Sequence, residues 1–299
     1  MTDNTSSIAD NIFQKGCLVQ VAVSKWGGIK QIDKNKLAKM VQTTDHSWVT
    51  ASKKLVEPAS LKPICKISTA TRAWLNTKSL PFPVTGMVFI PKDLITTVDT
   101  KLHQFKNDFN NAVENFSNDY NDLREDAKEY LGNLFNEVDY PIDITSRFKF
   151  YWRFVILDIP NGDSKLLAPE VYAREEAKFM ETMEEARCMA VDALREEFAQ
   201  MVEHISERFT QDGVKPKVFR QSAIDNFYEY FQTFKDRNIF QDNDLSQLVA
   251  RAQSILNGTS THRIRSDSRL KEIIRSGMSD IESSISEVFN RPRRQIIMD

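Results

Sequence analysis

The chain has 299 residues, of which 41% are hydrophobic and 27% are charged, and this is the composition of a folded globular protein rather than a disordered one. Its formal net charge of −2 argues against a dedicated nucleic-acid coat protein and against a strongly basic membrane binder. Three separated cysteines form neither a disulfide framework nor a Cys-x-x-Cys metal pair, and no stretch reaches the roughly 18 apolar residues of a membrane span. We therefore expect a cytoplasmic protein that does not contact the membrane.

The N-terminal part, residues 1–92, is predicted to be a mixed α/β segment. Residues 17–26 alternate in polarity and are rich in β-branched side chains, so they predict a strand, with residues 29–32 as its hairpin partner across a glycine pair. Asp33 can cap a short helix that ends near residue 41. The remaining predicted elements of this segment are a helix over residues 59–77 and a strand over residues 84–90.

The clearest periodic signal in the sequence is an apolar stripe that repeats at steps of three and four residues. It predicts one helix from about Asp93 to Val138, with Asn, Asp, Glu and Lys side chains on the opposite face. At about 1.5 Å per residue such a helix would be roughly 65 Å long. The stripe consists of Val98, Leu102, Phe105, Phe109, Ala112, Phe116, Tyr120, Leu123, Ala127, Tyr130 and Leu134.

A second long helix is predicted from Ala168 to Thr210. It follows a predicted strand over residues 147–159, which would pair either with the strand near Val19 or with that over residues 84–90. The Pro-Glu pair at the start of this helix is typical of a first turn. Its apolar stripe consists of Ala173, Ala177, Met180, Met183, Ala190, Leu194, Phe198, Met201, Ile205 and Phe209.

These patterns predict a fold that is mainly α, within the α+β class. Packing the two stripes together would remove both from water, so we expect an antiparallel, coiled-coil-like helical hairpin over residues 93–212, with the intervening strand. The hairpin would stand on a small base that contains a few strands. Residues 213–299 are predicted to form a C-terminal helical segment.

No catalytic, cofactor or metal site emerges from the residue types. The glycines do not form a phosphate-binding loop, since both G-x-x-x-x-G-K-[ST] and G-x-G-x-x-G are absent. The four histidines are isolated, and Glu203-His204 lacks the Glu-x-x-His spacing of a di-iron helical bundle. We therefore predict a protein that is not an enzyme and has no cofactor, while an enzyme of unrecognised type is the third alternative.

The C-terminal region carries a candidate basic contact surface. Its arginines could bind phosphate groups or an acidic partner. The alternative is an ordinary charged helix face, because Asp267, Glu272, Asp280, Glu282 and Glu287 are interspersed among these cations. The candidate residues are Arg263, Arg265, Arg269, Arg291, Arg293 and Arg294.

Short sequence blocks spread over nearly the whole chain carry a family resemblance. They are LVQVAVSKWGG (18–28), RAWL (72–75), LPF (80–82), GMVFIP (86–91), FKF (148–150), KVFRQS (217–222), RNI (237–239) and RPRR (291–294). With these blocks the chain resembles a domain family of unknown function carried by phages, plasmids and integrative elements. The resemblance implies genes for a MoxR-type AAA+ ATPase and a von Willebrand A-type, cobalt-chelatase-like protein nearby. It implies no catalytic residues.

Two functions remain as expectations. The first is a non-enzymatic adaptor of a phage or mobile element, whose helical arm binds the AAA+ ATPase, the von Willebrand A-type protein or a second copy of the chain. The alternative is a DNA-associated accessory protein of phage-like recombination or host-defence conflict, in which the arginines of residues 263–294 contact DNA. The net charge does not favour this alternative.

Overall fold

The computed structural model describes residues 14–41, 45–156, 168–209, 221–257, 259, 263 and 267–289. Within these ranges the protein is mainly α-helical with a few short strands, which confirms the predicted fold class. The chain divides into two compact units, each built from separate stretches of sequence. The first unit contains residues up to 18, residues 77–95 and the chain from residue 155 onward, and the second contains residues 19–76 and 96–154.

The helices and strands follow the predicted order closely. The helices are α1 (Lys34–Met40), α2 (Pro58–Asn76), α3 (Ile95–Leu131), α4 (Pro169–Phe209), α5 (Gln221–Arg237), α6 (Asn243–Leu256) and α7 (Ser268–Phe289). The strands are β1 (Gly16–Ser24), β2 (Ile29–Gln31), β3 (Ser52–Lys54), β4 (Leu80–Pro81), β5 (Met87–Pro91) and β6 (Lys149–Val155). Residues 157–159 of the strand predicted over residues 147–159 lie outside the described ranges.

The strands form a four-stranded sheet and a separate two-stranded sheet. The larger sheet has the order β4-β5-β1-β6, with β4 antiparallel to β5. The prediction that residues 29–32 form a hairpin with β1 is wrong, because β2 pairs with β3, with Ile29 opposite Lys54. Both sides of β1 are occupied, by β5 and by β6, so β1 has no free edge for another strand.

The start of α1 is fixed by the residue that the sequence indicated. The Asp33 carboxylate accepts hydrogen bonds from the backbone N–H groups of Asn35 at 2.8 Å and Lys36 at 3.3 Å. These two N–H groups have no acceptor within the helix, so the side chain replaces the missing carbonyls. The predicted cap of this helix is confirmed.

We expect the substitution Asp33→Ala to lower the free energy of unfolding of the second unit by about 1 kcal/mol, since it removes this cap. Urea unfolding followed by circular dichroism measures the change. Asp33→Asn is the matched control, because the asparagine oxygen can accept the same hydrogen bonds. If the alanine and asparagine variants unfold at the same urea concentration, the cap does not contribute to stability.

The core of the first unit is built around α4. The buried face of α4 packs against α5, α7 and β4, and α6 packs against α7. Most of the predicted stripe from Met183 to Ile205 is buried, and Phe198 and Ile205 are fully inaccessible to solvent. Ala173 and Ala177, at the start of the predicted stripe, are exposed. The described core of α4 begins at Met183.

The core of the second unit is built around α3. Its Phe109 ring lies 5.6 Å from the Phe150 ring of β6, and its Phe116 ring lies 5.7 Å from that of Phe148. Trp26, just after β1, lies 6.2 Å from Phe116. The two long helices therefore fall in different units, apart from the first residue of α3. The sequence predicts that the two stripes pack on each other. In the structure, each stripe packs instead into the core of its own unit.

The last turns of the predicted first helix are not helical. α3 ends at Leu131, and Gly132 follows with a φ of +49°, a left-handed conformation that commonly stops a helix. Two short 3-10 turns then lead to Tyr140. The prediction of a helix through Val138 is therefore wrong, and Tyr130 is 85% exposed instead of continuing the buried stripe.

Candidate interaction surface at the end of the long helix

A buried ion pair ties β3, and an exposed hydrogen bond ties α1, to the turns that follow α3. The side chains of Lys53 and Asp139 are about nine-tenths buried, and Lys53 Nζ lies 2.6 Å from Asp139 Oδ2. Lys53 Nζ also donates a hydrogen bond to the carbonyl oxygen of Leu134. Lys36 Nζ in α1 donates to the carbonyl oxygen of Asn133 at 3.4 Å. The segment after α3 is therefore anchored to the small sheet.

An aromatic layer fixes the same segment on the end of α3. The Arg124 guanidinium lies 6.0 Å from the Tyr120 ring and 5.7 Å from the Tyr140 ring, within the range of cation–π contacts. It also forms an ion pair with Glu137. Tyr140 stacks on Phe135 with ring centroids 5.1 Å apart. Burial raises the pKa of the Tyr140 hydroxyl, which is the direction expected for a phenol removed from water.

Large apolar side chains are exposed around these anchoring contacts. Ten exposed large apolar residues occur in the described ranges, and six of them lie in this region, each at least 60% exposed. We call these six residues the α3-end patch: Ile29, Met40, Trp48, Tyr130, Val138 and Ile142. Single exposed apolar residues are ordinary on a protein surface, but their concentration in one region is typical of an interaction site.

Each residue of the α3-end patch lies close in sequence or in the sheet to an anchoring contact. Val138 precedes the buried carboxylate of Asp139, and Tyr130 is in the last turn of α3. Ile29 is paired with Lys54 in the small sheet. The turn that carries Trp48 packs against α1. The backbone beneath the patch is therefore held in place, and a preformed surface loses less conformational entropy when it binds a partner.

The structure places two of the six predicted basic residues. Arg263 and Arg269 are exposed. Near them, Asp267 accepts hydrogen bonds from the backbone N–H groups of Arg269 and Leu270, at 2.9 and 3.1 Å, and so caps the start of α7. The other four predicted residues, Arg265, Arg291, Arg293 and Arg294, lie outside the described residues. The basic contact surface formed by all six arginines therefore stays a prediction.

No group of three or more His, Cys, Asp or Glu side chains that could hold a metal ion is found among the described residues. In the same ranges, no helix is long and apolar enough to cross a membrane.

A comparison with protein families matches residues 13–216 to a model described as a protein of unknown function (DUF3150). The match covers about two thirds of the chain. The chain belongs to the DUF3150 family. The DUF3150 match spans both units, from β1 to α4, and contains the whole α3-end patch. It confirms the expectation of a family of unknown function. No curated protein and no solved structure matches the chain.

Sequence reasoning missed the α3-end patch because it extended the helix too far. Tyr130 fits the apolar stripe, and the predicted helix extends as far as Val138. The signal that could have corrected this is Gly132-Asn133, since glycine after a periodic run typically ends a helix. A helix that stops at Leu131 leaves the following apolar residues without a predicted place in the core.

Proposed function

We propose that this DUF3150 protein is a non-enzymatic adaptor that binds a protein partner through the α3-end patch. The observation that carries the proposal is that six large apolar side chains, each at least 60% exposed, lie on elements that the anchoring contacts join to the end of α3. Burying such side chains against a partner removes apolar surface from water, and the gain must exceed the costs of association and of ordering the interface. Trp48 and Tyr130 are the residue types that most often dominate protein interfaces.

The resemblance of the sequence blocks supports a specific pair of partners. It implies a gene neighbourhood with a MoxR-type AAA+ ATPase and a von Willebrand A-type protein. We propose that one of these proteins contacts the α3-end patch, and that the protein acts in the cytoplasm of a host that carries the phage or mobile element. Membership of the DUF3150 family is compatible with this assignment and names no other function.

Co-purification tests the adaptor function. The tagged full chain is co-expressed with the MoxR-type ATPase and the von Willebrand A-type protein of the same mobile element, and retained proteins are identified by mass spectrometry. We expect at least one of the two to be retained. The double variant Trp48→Glu/Val138→Glu should retain it roughly tenfold less, because each charge would be desolvated in the interface. Ile273→Glu, on α7 in the first unit, is the matched control.

Two outcomes would contradict the proposal. If neither partner is retained by the unmodified chain, the partner assignment is wrong. If the double variant retains the partner as well as Ile273→Glu does, the α3-end patch is not the contact surface. A salt-sensitive shift of double-stranded DNA that Arg263→Ala/Arg269→Ala weakens, without retention of either protein, would favour the DNA alternative.

A further inference from the structure

The strand β6 has two chemically different faces. Phe150 packs on Phe109 of α3, and the Trp152 Nε1–H donates a hydrogen bond to Asp99 Oδ1 of α3 at 2.9 Å. Successive side chains of a strand point to opposite sides, so the residue between these two and the residues that flank them face away from α3. These are Lys149, Tyr151 and Arg153, and all three are exposed. We call them the outer face of β6.

The outer face of β6 has an uncompensated positive charge. The segment 145–155 contains Arg147, Lys149 and Arg153 and no acidic residue. Among the described residues, no carboxylate pairs with any of these three cations. The Arg153 guanidinium lies 5.9 Å from the centre of the Tyr151 ring. This surface therefore favours a partner that brings negative charge.

β6 also stands at the end of the larger sheet. In the order β4-β5-β1-β6, its one neighbour among the described strands is β1. The far side of an edge strand presents backbone N–H and C=O groups that can pair with another strand. Lysine and arginine on an edge repel a basic strand, whereas they attract a strand that places acidic side chains opposite them.

We propose that β6 binds an acidic, extended segment of a partner protein, which adds to the sheet as a further strand. Lys149 and Arg153 are separated by about 13 Å along the strand, at about 3.3 Å per residue. The segment therefore carries two carboxylates four residues apart, with an apolar or β-branched residue midway, opposite Tyr151. This site does not depend on the α3-end patch and can be tested separately from it.

The aromatic residues favour a peptide over single-stranded nucleic acid. Nucleic-acid platforms use several exposed rings on which successive bases stack. On β6, the Tyr151 ring has the Arg153 guanidinium beside it. Trp152 is turned towards α3, with the His103 ring 4.7 Å and the Lys106 ammonium 5.8 Å from its ring. The outer face thus offers one partly exposed ring and no stacking platform.

A peptide titration tests the site. A short fluorescein-labelled peptide with the central sequence Glu-Thr-Val-Thr-Glu is titrated with the full chain, and binding is followed by fluorescence anisotropy. A peptide of the same composition, with its two glutamates adjacent, is the control for register. We expect the first peptide to bind more tightly than the second. N-methylation of the peptide backbone on one side should abolish binding, because it removes the donors that a β-ladder needs.

A charge swap assigns the binding to the outer face of β6. The variant Lys149→Glu/Arg153→Glu should bind the glutamate peptide roughly tenfold more weakly, since two attractive cross-strand pairs become repulsive. The same variant should bind the Lys-Thr-Val-Thr-Lys peptide, and the unmodified chain should not bind that peptide. Lys149→Gln/Arg153→Gln gives an independent measurement with neutral side chains, and circular dichroism checks that each variant is folded.

Several results would overturn the proposal. Equal affinity for the two glutamate peptides would exclude a strand in register, and full binding of the N-methylated peptide would exclude backbone pairing. An unlabelled poly-dT strand that binds more tightly than the peptide, and loses affinity in the charge-reversed variant, would identify a nucleic-acid surface instead. The Trp48→Glu/Val138→Glu variant should bind the glutamate peptide normally, so failure of the proposed adaptor surface and failure of this site are distinguishable.

Discussion

The substitution Asp139→Ala is expected to lower the free energy of unfolding of the second unit by about 3–5 kcal/mol. The Lys53 side chain is 8% exposed, so its ammonium cannot recover the lost carboxylate by turning to water. The hydrogen bond to Leu134 O would remain, but a neutral carbonyl compensates a buried charge poorly. Urea unfolding followed by circular dichroism and tryptophan fluorescence measures the loss.

The double variant Lys53→Met/Asp139→Leu is the matched control for this prediction. It removes both charges together, and a buried ion pair replaced by apolar side chains of similar size is commonly neutral or stabilising. We therefore expect the double variant to unfold close to the unmodified chain. If Asp139→Ala unfolds at the same urea concentration as the unmodified chain, the pair does not anchor the segment that carries Val138. Partner retention by Asp139→Ala should then also be unchanged.

Phe198→Ala is expected to destabilise the first unit by about 3–5 kcal/mol, because it leaves a cavity in a core that can collapse only partially. Phe198 is 0% exposed, and its ring lies 5.9 Å from Tyr230 and 6.4 Å from Phe227 of α5. Removing the ring would remove its contacts with both aromatic rings, while the Tyr230 hydroxyl would still donate its hydrogen bond to Leu194 O of α4 at 3.0 Å. Thermal and urea unfolding of the full chain give the change in stability.

Two further variants separate the effect of the cavity on stability from other causes of destabilisation. Tyr130→Ala removes an aromatic side chain that is 85% exposed, and a surface change of this kind is expected to stay within about 0.5 kcal/mol. Phe198→Leu keeps most of the apolar volume, so its free energy of unfolding should lie between those of Phe198→Ala and Tyr130→Ala. An alanine variant as stable as Phe198→Leu would show that the α4–α5 contact is loosely packed.

Part of the proposed binding site on β6 could be predicted from the sequence, and part could not. The β6 strand and its alternating polarity are visible in the sequence from residue 147 onward. Which of its faces is covered depends on α3, which packs on Phe148 and Phe150 and leaves Tyr151 exposed. The edge position depends on the strand order, which local sequence does not encode because backbone hydrogen-bonding groups are the same in every strand.

The sequence by itself determined where most helices lie, because caps, Pro, Gly and apolar spacing act locally. Asp33 and Asp242 cap α1 and α6, and α4 begins at Pro169 as predicted. Only the tertiary structure decided which surfaces meet. The stripe of α4 is covered by α5, α7 and β4 in the first unit, while that of α3 is covered by β6 in the second. Hydrophobic attraction has no direction, so an apolar stripe specifies that it will be buried and does not specify its partner.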